Sequence, residues 1–200
     1  MEFVFLYAPL AGAAAFGYLL GSIPFGFIIS KLFGIGDIRA VGSGNIGATN
    51  VLRTGHKGAA LATLLLDAGK GFAAVLLAAG FTPLLGFFAG IGAVLGHCFP
   101  VWLKFKGGRG VATGFGVLFA ACPIAGVLAC ATWGVVALIF RISSLAAIVA
   151  YILAPIYAGL LDGVLAAGFT AVISIIVILK HRANIVRLFA GTEPKIGQSL

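Results

Sequence analysis

Apolar runs of membrane-crossing length alternate with short polar stretches along this chain. Residues 3–30 are apolar, with Pro9 and Pro24 as expected bends, and the run stops at Lys31. A polar, glycine-rich loop fills 34–57, and a second apolar run covers 59–80, interrupted by Asp67 and Lys70. After a turn at Phe81-Thr82-Pro83 come apolar residues 84–103 and a second basic, glycine-rich loop at 104–110. Two more apolar runs, 144–161 and 164–179, flank an Asp162-Gly163 turn, and Lys180-His181-Arg182 opens the tail. Runs of about 20 apolar residues span a bilayer as helices.

The stretch 111–140 holds 30 uncharged residues, broken near Cys122-Pro123. As one helix it would reach about 45 Å, too long for a hydrocarbon core of roughly 30 Å. A hairpin of two spans, the first of them short, returns Arg109 and Arg141 to the same side. The expected fold is an all-α integral membrane bundle of seven transmembrane helices, with the N-terminus extracytoplasmic and the C-terminus cytoplasmic. This topology puts Lys31, Arg39, Arg53, Lys57, Lys104, Lys106, Arg109, Arg141, Lys180, Arg182, Arg187 and Lys195 inside, as the positive-inside rule requires. Lys70 alone stays within a span.

Composition agrees with the pattern. Hydrophobic residues make up 62% of the chain, charged ones 9%, and the mean hydropathy is +1.18, whereas a soluble domain carries roughly 25% charged residues. A single membrane-embedded domain over 1–200 is expected. Met1-Glu2-Phe3 has no basic n-region, so the first run is expected to stay as a span and not as a cleaved signal. Cys98, Cys122 and Cys130 form no CxxC pair and read as small apolar packers. The net charge of +8 suits anionic lipid or a phosphorylated substrate. No basic, aromatic-interleaved surface lies outside the apolar runs, which excludes a nucleic-acid partner.

The polar stretch Gly42-Ser43-Gly44-Asn45-Ile46-Gly47-Ala48-Thr49-Asn50-Val51-Leu52-Arg53 has the chemistry of an anion grip. Its glycines allow tight turns and close backbone approach. Ser43, Asn45, Thr49 and Asn50 offer hydrogen bonds, and Arg53 can chelate a phosphate bidentately. Gly42, Gly44 and Gly47 match G-x-G-x-x-G, but the dinucleotide reading needs a strand and a βαβ unit that nothing here predicts. The second loop adds Lys106 and Arg109 among glycines, with His97 just before it. In the expected topology three helix N-termini open onto this same face, and such ends favour anions. Ser143 and Ser144 begin the third of these helices, one of them as an expected N-cap.

Asp67 and Lys70, spaced i and i+3, can meet on one helix face. Intramembrane ionisable residues are functional candidates, and a self-neutralising structural pair is the equal alternative. In the tail, His181 and Asn184 share a helical face, and a histidine there can act as base or bind a hydroxyl. Carboxylates are too scattered to form a metal site, so no metal and no cofactor is expected. Neither H-x-x-x-x-D nor G-x-S-x-G is present.

Three motifs in order, GSGNIGATNVLRTG at 42–55, GHCFPVWLKFKGGRG at 96–110 and KHRANIVRLFAGTE at 180–193, resemble the PlsY family of bacterial acyl-phosphate:glycerol-3-phosphate acyltransferases. LLLDAGKG at 64–71 also looks like that family, and the match covers nearly the whole chain. The resemblance implies a seven-helix inner-membrane enzyme with its site on the cytoplasmic face. Its reaction moves a fatty acyl group from acyl phosphate to the sn-1 hydroxyl of glycerol 3-phosphate, giving lysophosphatidic acid and phosphate in phospholipid synthesis. Ser43, Arg53 and Arg109 are then expected on the phosphate of glycerol 3-phosphate. Ser143 or Ser144, His181 and Asn184 are expected on its hydroxyls. Asn45, Thr49 and the backbone of Gly44 and Gly47 are expected around the acyl phosphate. The base is either His181 or a substrate phosphate oxygen. Arg109 stands where the family often has Lys, and Ala183 where an acidic residue is common. Besides the two substrates and the bilayer, an upstream acyl-phosphate-forming enzyme is a candidate functional partner. The competing reading is a small transporter for an anionic or phosphorylated solute, for which Asp67-Lys70 is the one midplane feature.

Overall fold

The computed structural model describes residues 2–197, so the expectation at Met1 lies outside it. Among the described residues there are no strands. The helices are α1 (Glu2–Gly21), α2 (Phe25–Leu32), α3 (Ala48–Arg53), α4 (Lys57–Ala79), α5 (Pro83–Cys98), α6 (Val111–Ala121), α7 (Pro123–Phe140), α8 (Ser143–Asp162), α9 (Val164–Lys180) and α10 (Arg182–Phe189). Five segments are long and apolar enough to cross a membrane: Tyr7–Leu32, α4, Pro83–Leu103, α7 and α8. The α9–α10 pair, bent by 61°, makes a sixth when the two helices are taken as one broken span. The short α6 has 11 residues, about 16 Å of helix, well under the thickness of a bilayer core. The break between α6 and α7 falls at Cys122, where Pro123 opens the next helix.

The bend expected at Pro24 is present: the first run is interrupted after Gly21 and restarts at Phe25, because Pro24 has no N–H to continue the ladder. Other elements differ from the sequence expectation. The bend expected at Pro9 does not interrupt the helix, which runs through it. The third run stops as a helix at Cys98, and Val101–Leu103 is a single 3-10 turn. The stretch 34–57 is not a plain loop. It contains a 3-10 turn at Ile38–Ala40 and the short helix α3, so Thr49, Asn50 and Arg53 are helical.

Glycine seams draw the helices together. Gly17 and Gly21 of α1 press on the carbonyls of Ala89 and Ala93, where a Cβ would come within 1.9 and 2.1 Å. Gly92 and Gly96 of α5 press in turn on Ala14 and Tyr18. Both pairs have i, i+4 spacing, the small-residue pattern that lets membrane helices approach closely. The α4–α6 contact is also reciprocal: Gly71 meets the Thr113 carbonyl and Gly116 meets that of Ala68. Outward, Leu65, Leu77, Leu138, Leu160 and Val164 are exposed, as lipid-facing side chains must be. The chain is a multi-pass membrane protein.

Candidate active site

One side chain folds the first polar stretch. Asn50 is buried, and its Nδ2 donates to the carbonyls of Asn45 and Val41, both at 2.9 Å, and of Ile38 at 3.1 Å. Its Oδ1 accepts from the Ser43 backbone N–H at 3.0 Å and the Ser43 hydroxyl at 3.3 Å. Gly42 and Gly44 have φ of 58° and 67°, which supply the turns around it. Asn50 was expected to contact an anion; its amide is instead used up in holding the loop. Arg39 is likewise occupied, paired with Asp37 at 2.6 Å.

The second loop is shaped by backbone. Lys104 and Phe105 are left-handed, the Gly108 N–H donates to the His97 carbonyl at 3.0 Å, and Gly110 (φ 85°) leads into α6. The His97 ring lies against Gly108, where a Cβ would sit 2.1 Å from its Nε2. Lys180 fastens this region from α9: its Nζ donates to the Cys98 carbonyl at 3.0 Å and lies 4.4 Å from the centre of the Phe99 ring.

The tail closes the third side. Glu193 receives hydrogen bonds from Asn184 Nδ2 at 2.5 Å, Ser144 Oγ at 2.7 Å and Arg187 Nε at 2.7 Å. Partial burial alone would raise its pKa, but the Ser144, Asn184 and Arg187 donors outweigh that and hold the carboxyl below its usual value. Neither Ser143 nor Ser144 caps α8: the N-cap is Ile142, whose side chain has no acceptor to offer, and Ser144 is turned to Glu193 instead. Ser143 Oγ lies 3.4 Å from Thr49 Oγ1. The His181 Nδ1 is 2.8 Å from the Val177 carbonyl, so Nδ1 carries the proton and a neutral ring keeps its lone pair on Nε2. Asn184 Oδ1 is buried and has no hydrogen-bond partner among the described residues.

These three sides enclose a cavity of about 430 Å³. Of the residues singled out from sequence, Ser43, Asn45, Gly47, Thr49, Asn50, Arg53, Asp67, His97, Arg109, Ser143, Ser144, His181 and Asn184 line it. Gly44, Lys70 and Lys106 do not. Gly44 is an exposed turn residue, Lys106 is exposed on the second loop, and Lys70 is buried behind Asp67, with its Nζ 2.7 Å from Asp67 Oδ1. Lys57, Arg187 and Glu193 line the cavity without having been singled out as site residues. Arg187 and Glu193 do fall within the 180–193 motif, and Lys57 ends the first polar stretch, but no spacing of their own marks them. Their roles arise from contacts across the fold.

The N-terminal ends of α4, α6 and α8 all reach the cavity through Lys57, Gly110–Val111 and Ser143–Ser144, and none has a side-chain cap. Their free N–H groups, with α3 starting at uncapped Gly47, favour an anion there. Arg53, Lys57 and Arg109 form no ion pair among the described residues. Burial, together with Arg187 and Arg53, pulls the Arg109 pKa down against the opposing pull of Glu193, yet a guanidinium stays charged at neutral pH. Leu61, Leu64, Phe115 and Trp133 give the same cavity an apolar wall. A phosphate-sized anion and a hydrocarbon chain can therefore share one enclosure.

A membrane-embedded helical bundle with a cationic pocket beside an apolar wall suits molecules that are phosphorylated at one end and lipid-like at the other. The glycerol-3-phosphate acyltransferase family model matches residues 11–191, and the chain belongs to that family. It is 57% identical over 185 residues to the glycerol-3-phosphate acyltransferase of Mesorhizobium japonicum, covering 92% of this chain and 95% of that protein. It is 54% identical over 193 residues to that of Brucella ovis, covering 96% of each. The crystal structure of PlsY, an integral membrane glycerol 3-phosphate acyltransferase, in its glycerol 3-phosphate form superposes with a TM-score of 0.88 at 40% identity, covering 94% of this chain and 96% of that one. The lysophosphatidic acid form gives 0.86 at 39%, covering 94% and 95%.

Proposed function

We propose that this protein transfers a fatty acyl group from acyl phosphate to the sn-1 hydroxyl of glycerol 3-phosphate. The glycerol oxygen attacks the acyl carbon, the anhydride C–O bond breaks, and phosphate and lysophosphatidic acid leave. The donor is already activated, so positioning and charge stabilisation are the main tasks. The observation that carries the reading is one cavity that sets the guanidiniums of Arg53 and Arg109, neither in an ion pair among the described residues, beside the apolar wall of Leu61, Leu64, Phe115 and Trp133. A phosphate satisfies the first and an acyl chain the second.

In this reading Ser43, Arg53 and Arg109 bind the phosphate of glycerol 3-phosphate. Asn184 and Ser143 hold its hydroxyls. Thr49, Asn45 and the free N–H groups after Gly47 receive the acyl phosphate, with the acyl chain along Leu61, Leu64, Phe115 and Trp133. The hydroxyl proton passes to His181 Nε2 or to a phosphate oxygen of the donor. The transporter reading loses its one support, because Asp67 and Lys70 satisfy each other.

The proposal extends to topology: α6 counts as a seventh, short span, the N-terminus is extracytoplasmic, and the site opens to the cytoplasmic face of the inner membrane. There an acyl-phosphate-forming enzyme supplies the donor. The whole chain acts as one domain. In purified protein, Arg53→Ala and His181→Ala are each expected to cut acyl transfer about a hundredfold or more. Near-unaltered rates in both would overturn the site assignment. A reporter fused after Leu200 should be cytoplasmic, and an extracytoplasmic signal would overturn the topology.

A further inference from the structure

We infer that Asp67, Lys70 and His97 form a positioning network that holds the two anion-binding loops in register with each other. The inference rests on the two-loop phosphate reading above. All three side chains are buried. A paired charge inside the membrane region is costly to assemble and is kept where it does something.

Lys70 Nζ donates to Asp67 Oδ1 at 2.7 Å and to the Ile23 carbonyl at 2.8 Å. Ile23 sits in the break ahead of α2, so this bond ties that break to α4. Gly26 of α2 is pressed on the first loop, where a Cβ would be 1.7 Å from the Ile46 carbonyl oxygen. Ile46 lies between Asn45 and Gly47, which line the cavity. One arm of the ion pair thus reaches the first loop.

The other arm reaches the second loop. Asp67 Oδ1 lies 3.5 Å from His97 Nδ1, an ion-pair distance and longer than a good hydrogen bond. That Nδ1 is buried and has no hydrogen-bond partner among the described residues, so Asp67 is the polar group it faces. The His97 ring sits against Gly108, the residue before Arg109, and the His97 carbonyl accepts the Gly108 N–H. A shift of the carboxylate is therefore felt on both sides of the cavity.

The test separates positioning from bulk stability. His97→Gln, Gly108→Ala and the charge-neutral double variant Asp67→Asn/Lys70→Met are purified, and KM for each substrate, kcat and Tm are measured. The network predicts that His97→Gln and Gly108→Ala raise KM for glycerol 3-phosphate about tenfold or more, over and above the Tm loss that crowding at Gly108 brings. The double variant should raise KM for both substrates. In an Arg109→Lys background, Gly108→Ala should add little, because both changes act on one cation. Unchanged KM values in all three, with only Tm lowered, would overturn the inference. If the double variant does not fold, His97→Gln and Gly108→Ala decide alone. Full activity in Arg53→Ala and Arg109→Ala would overturn the phosphate reading and this inference together. Loss there with unchanged KM in the network variants would overturn this inference only.

Discussion

Asp67 and Glu193 both reach the cavity and both are tied to a cation, yet they are held by different means. Asp67 sits within α4, and its cation, Lys70, is one helical turn away. Glu193 lies beyond α10 and gathers Ser144, Asn184 and Arg187 from 49, 9 and 6 residues away. The first centre is built into the helix bundle and can only be lost with part of the bundle. The second is a tail wrapped back on the site, and it connects α8 to α10 through one carboxylate. The backbone contact from the Ile196 N–H to the Arg141 carbonyl, at 2.6 Å, brings the same tail back to the start of α8. A site can thus be held rigidly from within the membrane and fastened from its open side.

The largest effect separating the two centres should be on folding. Lys70→Met alone leaves a buried carboxylate without its ammonium, expected to cost about 3–5 kcal/mol, with low yield and a depressed Tm in detergent. Glu193→Gln should leave the bundle folded and reduce acyl transfer, by about tenfold or more, because its amide keeps one oxygen for Asn184 and Ser144 but turns an N–H donor and no charge toward Arg187. Equal Tm losses in these two variants would erase the contrast.

A smaller effect is expected from pH. The folded-state pKa of Glu193 lies below its ordinary 4.5, so its contribution is present above that value and is lost as pH falls through the lower, folded one. Tm measured on acidification below 4.5 should fall less steeply in Glu193→Gln than in the unaltered protein. Identical slopes would mean that the tail carboxylate does not couple to folding. Least of all, Lys106→Ala should change activity by less than about twofold, since an exposed charge away from the cavity contributes little. A large loss would bring the second loop's outer face into the site.

The same contrast explains what could be read from sequence. Apolar run lengths, the interruption at Pro24 and the break at Cys122-Pro123 are local signals, and the helices follow them. Asp67-Lys70 was legible because i, i+3 spacing alone makes the contact. His97 joining that pair depends on how α5 packs on α4, which no spacing encodes. The six residues of α3 are too few to show a period, so the first loop's helix was invisible. Asn50 looked like a ligand because amide side chains suit both anions and loop carbonyls, and only the three surrounding carbonyls decide between them. Ser144 looked like a cap for want of any sign that Glu193 would claim its hydroxyl.

The central claim is that one enclosure holds a phosphate on Arg53 and Arg109 and an acyl chain on its apolar wall, and joins the two molecules. Purified protein incubated with acyl phosphate and glycerol 3-phosphate tests it most directly, with lysophosphatidic acid and released phosphate both quantified. The account predicts equal amounts of the two products, both suppressed by Arg53→Ala. Phosphate release without lysophosphatidic acid, or solute uptake into proteoliposomes with no product at all, would contradict it.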